Sequence, residues 1–99
     1  MELTENQRRF LRGKAHELKP VILIGNAGLT EAVAKETNRA LEDHELIKVK
    51  GRGADRDARD GMFEDLAQRT GSALIHRIGH TAVLYKRHAK QPKLIIPDA

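Results

Sequence analysis

The sequence predicts an α/β fold with the order α-β-α-β-α-β-β, in which a mixed four-stranded sheet is covered by helices. Three observations carry this expectation. The apolar period switches repeatedly between about 3.6 and about 2 residues along the chain. Glycine and proline signals separate those segments at Lys19-Pro20, Gly25 to Gly28, Gly51 to Gly53, Gly71 and Gly79-His80. Finally, a chain of 99 residues without cysteine buries roughly 60 to 65% of the surface it exposes when unfolded, enough for one core and not two. Residues 1–99 are therefore expected to form one domain, with residues 88–99 as a basic, flexible tail.

The first helix opens at Thr4, because Gln7 three residues later gives the capping-box spacing. Leu3, Phe10, Leu11, Ala15 and Leu18 follow a helical period to about His16 or Glu17. Lys19-Pro20 ends it, and Val21 to Ile24 reads as a buried strand. After Gly25-Asn26-Ala27-Gly28, Thr30 caps a second helix whose inner side is Leu29, Val33, Thr37, Ala40, Leu41 and His44. Glu45 to Lys50 is the next strand, with Ile47 and Val49 on one face and Leu46, Lys48 and Lys50 on the other. Asp55 and Asp57 favour the start of a third helix with an inner stripe of Ala58, Met62, Phe63, Leu66, Ala67 and Thr70. Gly71 stops it. Ala73 to Ile78 and Thr81 to Arg87 then form a hairpin around Gly79-His80, a Gly-X loop suited to a type II′ turn. Leu94-Ile95-Ile96-Pro97 reads either as an added edge segment or as disordered chain.

Composition removes several classes of function. Without cysteine there is no disulfide framework, thiolate nucleophile or Cys-bearing zinc site, and a reducing cytoplasm is the expected compartment. The longest apolar runs fall far short of the roughly 20 residues of a membrane helix, and the acidic start Met1-Glu2-Leu3-Thr4-Glu5 is unlike an export signal. Phe10, Phe63 and Tyr85 are the only aromatic residues, too few for a sheet of stacking rings of the RRM kind.

The formal net charge of +4 understates a local field. Leu66 to Pro97 contains no Asp or Glu, yet holds Arg69, Arg77, Lys86, Arg87, Lys90, Lys93, His76, His80 and His88. On the first helix, Arg8, Arg12 and His16 share one side, with Arg9, Lys14 and Lys19 nearby. The acids gather on the second helix and at the start of the third. Such a field suits a polyanion, although basic residues also serve simply as solvated faces. Gly25-Asn26-Ala27-Gly28 lies between a strand and a helix N-terminus, where backbone N–H groups can meet phosphate; on its own so short a loop is more often only a turn.

The stretch Lys19-Pro20-Val21-Ile22-Leu23-Ile24-Gly25-Asn26-Ala27-Gly28-Leu29-Thr30 resembles the opening of the CRM domain, the module of chloroplast RNA splicing and ribosome maturation proteins. His44 to Lys50 resembles that family's second strand, and Ile78 to Arg87 its closing hairpin. The likeness spans residues 2 to 97 and is strongest to the free-standing bacterial, YhbY-type members. It implies a fold similar to the C-terminal domain of translation initiation factor three, with RNA bound through the GxxG loop and neighbouring basic surfaces. It further implies association with precursors of the large ribosomal subunit. Carried over by position, the loop is Gly25, Asn26, Ala27 and Gly28, and the hairpin contributes Lys86 and Arg87. Where the family often has a basic residue inside the loop, this chain has Asn26 and Ala27, so charge must come from nearby Lys and Arg.

The expected function is a monomeric, non-enzymatic RNA-binding factor without cofactor or metal, reading RNA shape more than base identity through Gly25 to Gly28, Arg8, Arg9, Arg12, Lys19, Lys86 and Arg87. Two alternatives stay open. One is a module docking on ribosomal proteins through exposed Leu94, Ile95 and Ile96. The other is a ribonuclease using a metal at Asp55, Asp57 and Asp60, where helix capping is the simpler role and Arg52, Arg56 and Arg59 would oppose a cation. His76, His80 and His88 are read as surface histidines, and Tyr85 as core rather than a stacking platform.

Overall fold

The computed structural model describes residues 2–52 and 55–97. The elements follow the predicted order: α1 (Glu5–Ala15), β1 (Pro20–Ile24), α2 (Glu31–His44), β2 (Leu46–Gly51), α3 (Arg56–Thr70), β3 (Ala73–Ile78) and β4 (Thr81–Tyr85). Each helix opens on its expected cap. The Thr4 hydroxyl accepts from Gln7 N–H at 3.1 Å while the Gln7 side chain accepts from Thr4 N–H at 2.9 Å. Thr30 and Asp55 accept from the N–H groups of Val33 and Ala58 at 3.2 and 2.8 Å. These bonds satisfy donors that the first helical turn leaves without backbone partners.

The strands lie in the order β1-β2-β4-β3. β1 runs parallel to β2, and β4 runs antiparallel to both β2 and β3. One face carries Ile22, Ile24, Ile47, Val49, Ala82 and Leu84 against Leu41 of α2 and Phe63, Leu66 and Ala67 of α3. The other packs Leu46, Ile75, Val83 and Tyr85 against Leu11 and Ala15 of α1. Sheet residues alternate between two cores because successive side chains of a strand point to opposite faces.

Two register irregularities lie on the edge strands, between Pro20 and Ile22 in β1 and between Leu74 and His76 in β3. The second has a large effect. Strict alternation would send His76 and Ile78 to the α3 side, but with Ile75 as the extra residue His76 pairs with Val83 and Ile78 with Thr81, on the α1 face. Arg77 is turned to α3, where it meets Asp60 at 3.8 Å and Glu64 at 3.1 Å. The Arg8 guanidinium donates to Leu74 C=O at 3.2 Å beside the bulge.

Several inner-face assignments change. β1 is buried on one side only, with Val21 at 53% and Leu23 at 48% exposure, because α1 packs on β2, β3 and β4. On α3, Ala58 is exposed while Arg59 is buried. Gly51 explains the exchange: a Cβ there would stand 3.1 Å from Arg59 Cγ and 3.2 Å from Phe63 Cζ, so its absence leaves space for the arginine stem. His44 is exposed at the end of α2. The strand before Lys86 ends at Tyr85, whose ring is buried against α1 and unavailable for stacking. At the hairpin, Gly79 has φ 57° and His80 lacks positive φ, as a type II′ turn requires.

The C-terminal segment departs from both expectations for it. Residues 88–97 form no strand, yet Leu94 and Ile96 pack on the α1 core and Gln7 Nε2 donates to Pro97 C=O at 2.8 Å. Glu45 is the anchor. Its fully buried carboxylate accepts the backbone N–H groups of His88, Lys93 and Leu94 at 2.7, 2.6 and 2.6 Å. Its own N–H donates to Leu41 C=O at 2.8 Å to end α2, and its C=O accepts from Lys86 N–H at 2.9 Å. Gly53 of the third glycine signal and the last two tail residues lie outside the described residues.

Candidate nucleic-acid interface

Gly25 to Gly28 forms a closed turn at the end of β1, with Gly28 N–H donating to Gly25 C=O at 3.0 Å. Gly28 has φ 78°, a left-handed conformation that glycine adopts without a Cβ clash. Asn26 and Ala27 are exposed at the tip. The turn shares its end of the sheet with Arg52, whose N–H donates to Ile24 C=O at 2.9 Å, and with His80, whose C=O accepts from Gly51 N–H at 2.7 Å. The glycine turn, the end of β2 and the β3–β4 hairpin thus meet at one end of the sheet, and Arg52 and His80 are exposed there.

Beside this end, the α1 face of the sheet is open. Between the C-terminal half of α1 and the strands is a cleft of about 180 Å³ whose walls include Arg12, His16, Pro20, Lys48, His76 and Ile78, and among the described residues no acidic one lines it. Arg12 approaches Glu5 at 3.7 Å, a loose pair with both side chains partly exposed. The expected stripe on α1 divides. Arg12 and His16 face this cleft, Arg8 is committed to Leu74 C=O, and Arg9 projects exposed into solvent. Lys19 lies across α1, on a second, largely apolar groove of about 410 Å³ with Lys14, Leu18, Val21, Leu46 and Leu94.

Lys86 and Arg87 are not brought together with the glycine turn. Tyr85 pairs with Leu46 and Ala73, whereas Thr81 pairs with Lys50 beside the turn, so the two sites are separated by roughly 17 Å along the strand. The Lys86 ammonium donates to Thr70 C=O at 2.9 Å and so closes the last turn of α3. Arg87 is exposed near His88, Lys90 and Glu42 at that opposite end.

The acidic and apolar candidates also have defined places. Asp55 caps α3 and Asp60 meets Arg77; among the described residues no group of three or more His, Asp or Glu is gathered to hold a metal ion. Of Leu94, Ile95 and Ile96, only Ile95 is freely exposed. Among the described residues no helix is long and apolar enough to cross a membrane.

Of the wall residues, the sequence puts His16 on the basic stripe of α1 and His76 in the basic C-terminal field, but it places neither Lys48 nor Ile78 in an interface. Alternation did put Lys48 opposite Ile47, but the bulge that adds His76 and Ile78 leaves no distinctive mark in Leu74 to Ile78.

Comparison with known proteins agrees with this architecture. The family model for the CRS1 / YhbY (CRM) domain matches residues 3–86. A Haemophilus influenzae protein named as an RNA-binding protein is 43% identical over 95 residues, covering 96% of this chain and 95% of its own. A Pseudomonas aeruginosa protein, named as a candidate for the same activity, is 42% identical over 93 residues, covering 94% of this chain and 89% of its own. The solution structure of a Staphylococcus aureus protein, described as a candidate RNA-binding protein, superposes with a TM-score of 0.83 at 33% identity, covering 97% of this chain and all of that one. With the glycine turn, the mixed sheet and a match over nearly its whole length, this chain belongs to the CRS1 / YhbY (CRM) domain family.

Proposed function

We propose that this chain is a cytoplasmic RNA-binding factor that acts as a monomer without catalysis and holds structured RNA of the large ribosomal subunit precursor by its phosphates. The observation that carries the reading is the cleft with Arg12 and Lys48 on its walls, whose lining includes no acid among the described residues and which lies on the open α1 face of the sheet that ends in the glycine turn. Cations clustered on one side of the molecule gain affinity by displacing counterions from phosphates, without base contacts. The names of the bacterial relatives support RNA as the polyanion.

Within this surface Gly25 to Gly28 offers backbone N–H groups and Asn26, Arg12 and Lys48 supply charge, and Arg9 and Lys19 flank them. Arg8 contributes by holding the bulge. Lys86 and Arg87, at the far end, meet only an RNA long enough to run along the sheet.

Fluorescence anisotropy with a structured large-subunit ribosomal RNA fragment and an equal-length DNA duplex, titrated from low to physiological salt, tests the reading. It expects tighter binding to RNA and a linear fall of log affinity with log salt whose slope corresponds to several phosphates. Equal, weak binding to both would overturn it in favour of a protein partner.

A further inference from the structure

Phosphate binding requires exposed charge but no recess, yet the open sheet face contains one. Its walls combine two cations, Arg12 and Lys48, with two imidazoles, His16 and His76, and with the aliphatic surfaces of Pro20 and Ile78. Both histidines are exposed, and Ile78 leaves 68% of its surface in solvent although it belongs to a strand. The β3 bulge gives His76 and Ile78 this position by moving them to the α1 face.

Resting on the RNA-binding reading, we infer that this cleft takes one unpaired nucleotide of the bound RNA, its base against the imidazole and aliphatic walls and its phosphate at Arg12 and Lys48. A double helix presents no free base face and cannot enter a recess of about 180 Å³. A bulged or looped nucleotide can, because its base is already unstacked, and histidine rings are among the side chains on which such bases stack. Among the described residues no carboxylate lines the walls, and the loose Glu5 contact with Arg12 at 3.7 Å, both side chains partly exposed, is one a phosphate can displace. An acidic peptide would use the two cations but would leave the flat apolar surfaces unmatched.

The test compares three RNA hairpins: one with a single-nucleotide bulge, its fully paired counterpart, and the bulged hairpin with an abasic site at that position. Wild-type protein is expected to bind the bulged hairpin at least about tenfold more tightly than the other two, as stacking of one base supplies. The double variant His76→Ala/Ile78→Ser, altering two exposed side chains, is expected to lose that preference while keeping its affinity for paired RNA. If wild-type protein binds all three equally with a clear salt slope, or the variant retains the preference, the cleft assignment falls and the phosphate-binding reading stands. If none of the three binds at low salt, both fall. The abasic comparison uses unaltered protein and decides the matter even where the double variant fails to fold.

Discussion

Glu45 holds a backbone conformation rare for its residue type, φ 63° and ψ −45°, and conformations of this kind persist where surrounding contacts over-determine them. Those contacts are the three N–H donors on its carboxylate, the α2 cap and the bond to Lys86. Glu45→Ala is expected to lower unfolding free energy by roughly 2 to 4 kcal/mol, because three buried donors lose a charged acceptor; urea denaturation checks this. Burial alone would raise the Glu45 pKa, but the N–H groups of His88, Leu94 and Lys93 and the nearby charge of His88 hold it below the ordinary value of 4.5. A carboxylate depressed in the folded state stabilises the fold above its unfolded pKa, and that contribution is lost as pH falls through the lower folded value. Wild-type stability should therefore decline more steeply than that of Glu45→Gln below about pH 4.5, and parallel pH curves would refute this. Gly51 makes an independent case: Gly51→Ala places a Cβ against Arg59 and Phe63 and should destabilise by about 1 to 3 kcal/mol through overpacking, measured by the same denaturation.

At the scale of elements, the C-terminal segment is part of the second core. Deleting residues 90–99 removes Leu94 and Ile96 from the α1 core and two of the three donors to Glu45. The expected cost is about 3 kcal/mol or more, with amide exchange accelerating in α1 before α3; uniform exchange in the truncated protein would count against it. The helices were legible in the sequence because Thr4, Thr30 and Asp55 are local signals, each acting on a donor three residues away. The segment was not, because the interactions fixing it span more than forty residues, from Glu45 to His88, Lys93 and Leu94. Arg59 illustrates another limit: a charged residue reads as solvent-facing unless the glycine that accommodates its stem, Gly51, is already known to lie opposite. The glycine turn was legible as a place, and the cleft on the α1 face was not, since Leu74 to Ile78 permits either register and only the bulge puts His76 beside Arg12. The far position of Lys86 and Arg87 follows from β4 running against β1, a fact of sheet order rather than local sequence.

For the whole molecule, the two ends of the sheet make separable contributions to polyanion binding. Arg12→Glu and Lys48→Glu, in the cleft, should each weaken binding to a short structured RNA and lower the magnitude of the salt slope by about 1 or more. Arg87→Glu should leave affinity for the same short RNA within about twofold, its site lying about 14 Å from the Lys48–Val83 pair along the strand; a loss equal to that of the cleft variants would show one continuous surface instead. Lys86 is unsuitable for this comparison because it also closes α3 through Thr70.

The two irregular strands have a consequence for life at high protein concentration. β1 and β3 are the outer strands of the sheet, and each carries a register shift. An outer strand normally offers a row of unpaired amide groups on which another molecule's strand can grow. Here the row is interrupted on both sides, and β1 begins with Pro20, which has no N–H to offer. A second copy finds no straight template to extend, so the extra residue in β3 also discourages fibre growth; deleting Ile75 would leave Leu74 opposite Leu84 and His76 opposite Val83, keeping His76 and Ile78 on the α1 face while restoring a straight edge.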